Sequence, residues 1–367
     1  MKPIETYHNF NKDVLDIFEQ MKATEQSPIH HAEGNVYIHT NMVVAEVEKI
    51  KSQFSPEAQE RLIYTGIFHD IAKPITTKPE YDKKGNIVDW ISPKHAKYGE
   101  PMFRDLMWES FPYQQREQIA KLIRYHGLPI WNETKEDPEM SLIKASLGCN
   151  LNELINFAQC DFRGRICQDL DSCLFEIELF KERAENLGCL NNPYPFTSDW
   201  ARLHYFKNGE YPGKEIWEPE GPWCVVMCGL PGSGKNTWIN KNWYGPIIEL
   251  DAIRRKHKIS WKDQRAQGFV AQEAKEMLRE NMRKKQDVLW NGTNMTAQQR
   301  AAIIDIAREY RAKIKIVYID CSVPQAIKRN KSRTEFEQVK DSVIEKYSRK
   351  MELPDLTECH VLEVVEN

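Results

Sequence analysis

The stretch Gly229-Leu230-Pro231-Gly232-Ser233-Gly234-Lys235-Asn236-Thr237 follows a short apolar run, Val225-Val226-Met227-Cys228, and leads into Trp238-Ile239-Asn240. It reads as strand, glycine-rich turn and helix, the context that the phosphate-binding pattern G-x-x-x-x-G-K requires. Glycines there open backbone conformations that other residues avoid, so successive N–H groups surround a phosphate. The helix opening at Lys235 adds the positive end of its dipole, and the lysine places a point charge on the outer phosphates. Gly229, Gly232, Ser233, Gly234, Lys235, Asn236 and Thr237 are the expected nucleotide-binding residues. One of them departs from the pattern. Where a Ser or Thr hydroxyl normally binds Mg²⁺, this chain has Asn236. Its amide oxygen would serve directly or through water, or Thr237 would help; the sequence leaves both open.

Around this loop, from Trp223 onward, strands alternate with helices. Candidate strands are Cys224–Cys228, Ile247–Leu250, Val288–Trp290 and Ile314–Ile319, with the clearest helices at Gly268–Lys285 and Ala297–Tyr310. Such alternation predicts an α/β domain with a parallel sheet and ligands at the C-terminal strand ends. The second strand runs into Glu249-Leu250-Asp251-Ala252-Ile253-Arg254. A carboxylate there is placed to take the hydroxyl proton of a phosphoryl acceptor, which makes Asp251 the candidate base. Arg254, three residues on, would fix the acceptor's own phosphate. The third strand ends in Trp290-Asn291-Gly292-Thr293-Asn294, without the Walker-B carboxylate expected there. Asn291 or Asn294 would act from behind the metal's ligands, or Asp251 would carry more of the metal contact. The segment Gln325–Met351 reads as helical and basic, and Arg329-Asn330-Lys331-Ser332-Arg333 within it reads as a lid. Arg329 and Arg333 would reach the ATP phosphates, and Arg333 would balance charge in the transition state.

Before the loop the pattern is helical. Asp13–Met21 carries apolar residues at Val14, Ile17, Phe18 and Met21, and similar stripes recur at Met42–Ile50, Pro56–His69, Gln115–Ile123, Leu151–Cys160 and Ser172–Leu187. No alternating, strand-like run of useful length stands out in this half. Between Phe206 and Pro222 turn formers accumulate, so the expected domains are 1–207 and 223–367, joined by a linker over 208–222. A chain of 367 residues exceeds one ordinary core, in keeping with two domains. A net charge of −3 gives no global attraction to nucleic acid, so any such binding must use local patches. Nine cysteines without a C-x-x-C pair read as buried thiols of a reducing compartment. With no leader-like start and no apolar run long enough to span a membrane, the expected location is cytoplasmic.

The helical half also places metal-type residues at telling points. His39 opens a helix, His69-Asp70 closes one, His95 begins one, His126 ends one, and Asp161 sits in Cys160-Asp161-Phe162-Arg163-Gly164-Arg165. Imidazoles with carboxylates and no required thiolate suit Mn²⁺, Co²⁺, Ni²⁺, Fe²⁺ or Mg²⁺ more than structural zinc. A metal or metal pair lowers the pKa of bound water and clamps an attacked phosphate.

This order of histidines and aspartates resembles the H…HD…H…H…D pattern of the HD phosphohydrolase superfamily. The flanking text, His31-Ala32-Glu33-Gly34-Asn35-Val36, Phe68-His69-Asp70-Ile71-Ala72-Lys73 and Asp161-Phe162-Arg163-Gly164-Arg165, resembles the HD domains of tRNA nucleotidyltransferases. The resemblance implies that His39, His69, Asp70 and Asp161 hold the main metal, and that His95 and His126 hold a second metal or the phosphate. It implies too that Lys73 faces the phosphate. Arg163 and Arg165 would bind substrate anion or pair with surface carboxylates. In the second half, the glycine-rich loop, Asp251-x-x-Arg254, Thr293-Asn294 and Arg329-Asn330-x-x-Arg333 resemble the kinase module of 5′-hydroxyl polynucleotide kinases.

The order of the two modules looks like the bifunctional HD-domain polynucleotide kinases of RNA end repair. That resemblance implies phosphorylation of 5′-OH ends from ATP or another NTP with Mg²⁺. It also implies removal of a 2′-phosphate, or opening of a 2′,3′-cyclic phosphate, with a transition metal such as Mn²⁺, Co²⁺ or Ni²⁺. RNA ends, with DNA ends second, would be the partners, alongside a ligase; the basic segment and aromatic residues near Trp261 would hold the polynucleotide. A small-molecule or nucleoside kinase fused to an HD nucleotidase is the alternative, and a non-catalytic nucleotide sensor a further one.

Overall fold

The computed structural model describes every residue except 1, 210, 218, 219, 261, 262, 264 and 334–337, so Trp261 lies outside the described residues. The chain divides into two compact units, Met1–Pro195 and Phe196–Asn367.

The first unit is helical because its apolar stripes have a helical period and its helix starts are capped. Asn11, Asn35, Ser55 and Asn150 each accept a backbone N–H of the first turn with the side chain, a contact worth about 1 kcal/mol. Helices Val36–Ile50, Pro56–Phe68, Tyr113–Tyr125 and Leu151–Arg163 pack around a core that includes Val43, Val44, Leu62, Ile67, Phe68, Ile119 and Phe157. A second apolar cluster, with Leu154, Ile155, Ile177 and Phe180, ties the helix Leu170–Asn186 to the last of these. One feature differs from the expectation: strands β1 (Lys78–Tyr81) and β2 (Ile87–Ile91) form an antiparallel hairpin. Asp82 makes its turn, accepting the N–H groups of Lys84 and Asn86, while Gly85 adopts φ +86°. Both strands are short and mostly exposed, so they leave no apolar alternation to read.

The second unit holds a parallel sheet in the order β4-β5-β3-β6-β7. Its strands are β3 (Trp223–Cys228), β4 (Ile247–Glu249), β5 (Val288–Asn291), β6 (Lys313–Asp320) and β7 (Val361–Glu366). The central strand β3 is a nearly continuous buried run, as a strand covered on both faces must be. The edge strand β7 was not among the expected strands. Leu250, expected to close β4, instead begins the helix Leu250–His257. The basic segment carries two helices, Val323–Lys331 and Asp341–Lys350.

The helix Asp199–Asn208, which the expected boundary assigns to the first domain, lies in this unit. Arg202 explains why. Its guanidinium donates to the carbonyl oxygens of Leu356, Cys359 and His360, just before β7.

Candidate metal centre and nucleotide-binding loop

In the first unit, four helix ends and one helix interior deliver the metal-type residues to one place. His39 lies one turn into Val36–Ile50, His69 and Asp70 follow Pro56–Phe68, and Asp161 lies in the last turn of Leu151–Arg163. His95 opens the helix His95–Leu106 and His126 caps Tyr113–Tyr125. His39 Nε2 is 3.3 Å from His69 Nε2, 3.1 Å from Asp161 Oδ1 and 3.7 Å from Asp70 Oδ2. On the other side of Asp70, His95 Nε2 is 3.4 Å from Oδ1 and 3.2 Å from His126 Nε2. All six predicted ligands are therefore adjacent, with Asp70 shared between the His39–His69 group and the His95–His126 group.

The outer nitrogens show how this arrangement is held. Nδ1 of His69 donates to Gly66 O at 2.9 Å, that of His95 to Ser92 O at 2.8 Å, and that of His126 to Ile123 O at 2.8 Å. Carbonyl oxygens only accept, so each of these rings carries its proton on Nδ1 and turns the Nε2 lone pair inward. His39 differs. Its Nδ1 meets both Gly164 O at 3.2 Å and the carboxylate of Glu33 at 3.0 Å. Glu33 is itself held by His31 Nδ1 at 2.8 Å and the backbone N–H of Ile166 at 2.9 Å.

Glu33 lies outside the histidine–aspartate pattern of the sequence. A carboxylate behind a ligating histidine fixes the ring and raises its basicity. The signal was the position of Glu33 just ahead of the His39 helix.

Electrostatics agree with a cation site. Burial opposes ionisation of Asp70, yet Lys73 at 2.8 Å and the surrounding histidines hold its carboxyl well below the usual range. Asp161 is held low in the same way by Arg165, whose guanidinium grips both its oxygens. Both oxygens of Asp70 are buried; Oδ2 is paired with the Lys73 ammonium, while Oδ1 has no hydrogen bond. A buried carboxylate oxygen left open beside inward imidazole lone pairs is what a divalent cation satisfies. The predicted ligands fit a metal.

Lys73 is 6% exposed and bonded to Asp70 and to Gln26 Oε1 at 2.7 Å. Arg163 is exposed, whereas Arg165 lines the site. Outside the cluster lies a cavity of about 340 Å³, lined by Lys73, His95, Arg165, Trp90 and Trp131 among others.

In the second unit, Gly229, Gly232 and Gly234 all take positive φ, at +148°, +83° and +108°. At Gly232 a Cβ would lie 2.3 Å from Ala326 O, so only glycine fits. Lys235 begins the helix Lys235–Asn242, and its ammonium donates to Gly229 O and Leu230 O at 2.9 and 2.8 Å. Burial lowers its pKa to about 8, and the charge of Arg333 adds to this. Arg329 donates to Ser233 O at 3.2 Å, which places it against the loop. Asp251 stands in the first turn of Leu250–His257, with Arg254 Nη1 2.6 Å from Oδ1.

Asn236 and Thr237 are both exposed at the helix start. Asn291 reaches Asn236, its Nδ2 donating to Oδ1 at 3.1 Å. Asn294 does not share that role; it is buried and donates to Met227 O at 2.7 Å behind the loop. Glu249, which sequence reasoning gave no function, accepts from the same Asn291 nitrogen at 3.2 Å.

Comparisons with known proteins agree with this division. The chain matches the HD domain family over residues 36–154 and the AAA domain family over residues 224–354. Among solved structures it is similar to a chain of the Pnkp1/Rnl/Hen1 RNA repair complex, at 20% identity and a TM-score of 0.33, over 36% of this chain. It is also similar to a gluconokinase from Sinorhizobium meliloti, at 18% identity and a TM-score of 0.29, over 40% of this chain. The alignments span 44% of the first of those chains and 84% of the second. Among the described residues no helix is long and apolar enough to cross a membrane. Residues 36–154 thus match the HD domain family, and residues 224–354, which hold the glycine-rich loop and most of the parallel sheet, match the AAA domain family.

Proposed function

We propose that this chain heals nucleic-acid ends, phosphorylating 5′-OH polynucleotide termini from ATP and removing 2′-phosphate or 2′,3′-cyclic phosphate groups. The observation that carries the reading is the Asp251–Arg254 pair. It joins a base to an anion binder at 2.6 Å, and the Asp251 side chain is 64% exposed. An open acceptor site of this kind admits the end of a polymer, whereas a small-metabolite kinase needs an enclosed pocket for its acceptor.

The kinase half works by positioning. The loop amides from Gly229 to Lys235 cradle the phosphates, and Lys235 leaves its two carbonyl partners for the β- and γ-phosphates. Asp251 accepts the proton of the terminal 5′-OH while Arg254 holds the neighbouring phosphodiester. Arg329 and Arg333 balance the charge of the migrating phosphoryl group.

In the HD half, His39, His69, Asp70 and Asp161 would hold a divalent transition metal, with His95 and His126 serving a second metal or the phosphate. Such a metal would supply Lewis acidity and water activation at the terminal phosphate. Lys73 and Arg165 contribute positive charge at the floor of the cavity, and Trp90 and Trp131 give it aromatic walls on which a terminal base stacks. The ends produced, 5′-phosphate and 3′-OH, are those a ligase joins. RNA ends and a ligase are the proposed partners.

The test is γ-labelled ATP with a 5′-OH RNA ending in a 2′-phosphate, repeated with Lys235→Ala and Asp70→Ala. Label transfer is expected to vanish in the first variant alone and phosphate release in the second alone. Transfer to a free nucleoside but not to the oligonucleotide would replace this reading with the nucleoside-kinase alternative.

A further inference from the structure

Two departures in the P-loop unit lie side by side. Asn236 stands where a hydroxyl normally meets Mg²⁺, and β5 ends in Asn291 where a carboxylate is usual. The structure supplies the missing charge from the neighbouring strand. β4 pairs with β5 in parallel, with Glu249 opposite Asn291, so the Glu249 carboxylate arrives beside the position that β5 leaves neutral. Asn291 Nδ2 then donates to two oxygens at once, Asn236 Oδ1 at 3.1 Å and Glu249 Oε1 at 3.2 Å.

We propose that Glu249 is the carboxylate that holds the divalent cation of MgATP, with Asn236 and Asn291 as its amide partners. This rests on the kinase reading of the same loop. An NH₂ group between two acceptor oxygens occupies the place that a small cation occupies between its ligands. Half a turn of the Asn291 amide about its last torsion replaces that nitrogen with Oδ1, and three oxygens then converge. Mg²⁺ binds through one or two carboxylates together with phosphate oxygens and water, so one carboxylate, two amides and a nucleotide make a complete set.

Other uses for Glu249 are weak. It precedes the helix Leu250–His257 but makes no side-chain cap. Its ion pair with Arg255 is long, at 3.5 Å, and uses the other oxygen. Asp251, the other acid nearby, is held by Arg254 instead.

The test is calorimetric binding of ADP and of a non-hydrolysable ATP analogue to the full chain, with chelator and with Mg²⁺. Wild type is expected to bind more tightly with Mg²⁺. Glu249→Gln is expected to match wild type in chelator and to lose about tenfold in affinity with Mg²⁺. Bound Mn²⁺ counted by electron paramagnetic resonance in the presence of ADP should fall in parallel. Adding Asn291→Asp to Glu249→Gln puts a carboxylate back on β5 and should restore both readouts. An unchanged Mg²⁺ response in Glu249→Gln overturns the assignment, as does nucleotide binding that Mg²⁺ never strengthens in wild type. Failure of 5′-OH phosphorylation by a wild type that still binds Mg²⁺–ADP through Glu249 would remove the kinase reading and leave this cation site standing.

Discussion

The Nε2 atoms of His39 and His69 face one another at 3.3 Å, although both rings give their Nδ1 protons to oxygen acceptors on the far side. Two imidazole nitrogens this close, with Asp70 Oδ1 buried beside them without a hydrogen bond, form a place that a divalent cation satisfies. Chelation is therefore expected to lower the melting temperature of the HD unit, and Mn²⁺, Co²⁺ or Ni²⁺ to restore it. A metal present at about a hundred times its Kd adds about 2.7 kcal/mol to the folded state. Differential scanning calorimetry reads this directly. Identical melts before and after chelation would end the metal assignment.

Glu33 provides a subtler probe of the same centre. Burial raises the cost of its charge, but hydrogen bonds from His31, His39 and Ile166 hold its carboxyl well below the usual range. It therefore acts on His39 as an anion, and Glu33→Gln keeps the shape while removing that charge. Metal affinity is expected to fall about 10- to 100-fold. Phosphatase activity should return when excess metal is supplied, while ATP binding stays as in wild type. A loss that metal does not rescue would assign Glu33 to the fold rather than to the centre.

Much of this was legible in the sequence because the relevant residues sit at element ends, where helical period, glycine runs and strand alternation mark position. The P-loop, Asp251–Arg254 and five of the six metal-type residues of the HD unit fall at such places, while His39 lies one turn into its helix. What escaped was set by pairing between distant segments. Glu249 meets Asn291 only because β4 lies beside β5, and strand order is not written in either strand. The same holds for the helix Asp199–Asn208, whose Arg202 finds its acceptors more than 150 positions away. The hairpin Lys78–Ile91 escaped for a different reason: strands open to solvent carry no apolar code.

Gly164 lies where two helices that carry ligands touch. A Cβ there would come within 2.9 Å of the backbone of Val43, in the His39 helix, and the Gly164 carbonyl also accepts from His39. Gly164→Ala must therefore push the His39 helix away from the Asp161 helix. Overpacking of this kind costs about 1–3 kcal/mol. Denaturant melts of the HD unit should show that loss, together with weakened metal binding. A variant as stable as wild type would mean that the two helices separate without strain.

His360 makes the stability of the P-loop unit depend on pH. Its Nδ1 accepts the backbone N–H of Ile314 at 2.8 Å, and its ring lies 4.1 Å from that of Trp200. Burial depresses its pKa from 6.5 to about 4; Asp199 opposes this, while Arg202 and His204 reinforce it. Between those values the unfolded chain takes up a proton that the folded chain refuses. Stability from this residue is thus complete above pH 6.5, and it is lost as pH falls through 4. A shift of this size corresponds to about 3 kcal/mol. His360→Asn keeps an acceptor for Ile314 but does not titrate, so its melts between pH 7 and 4 should fall less steeply than those of wild type. The relevant transition is the one that ADP raises. Parallel curves for the two proteins would show that His360 does not govern acid unfolding of this unit.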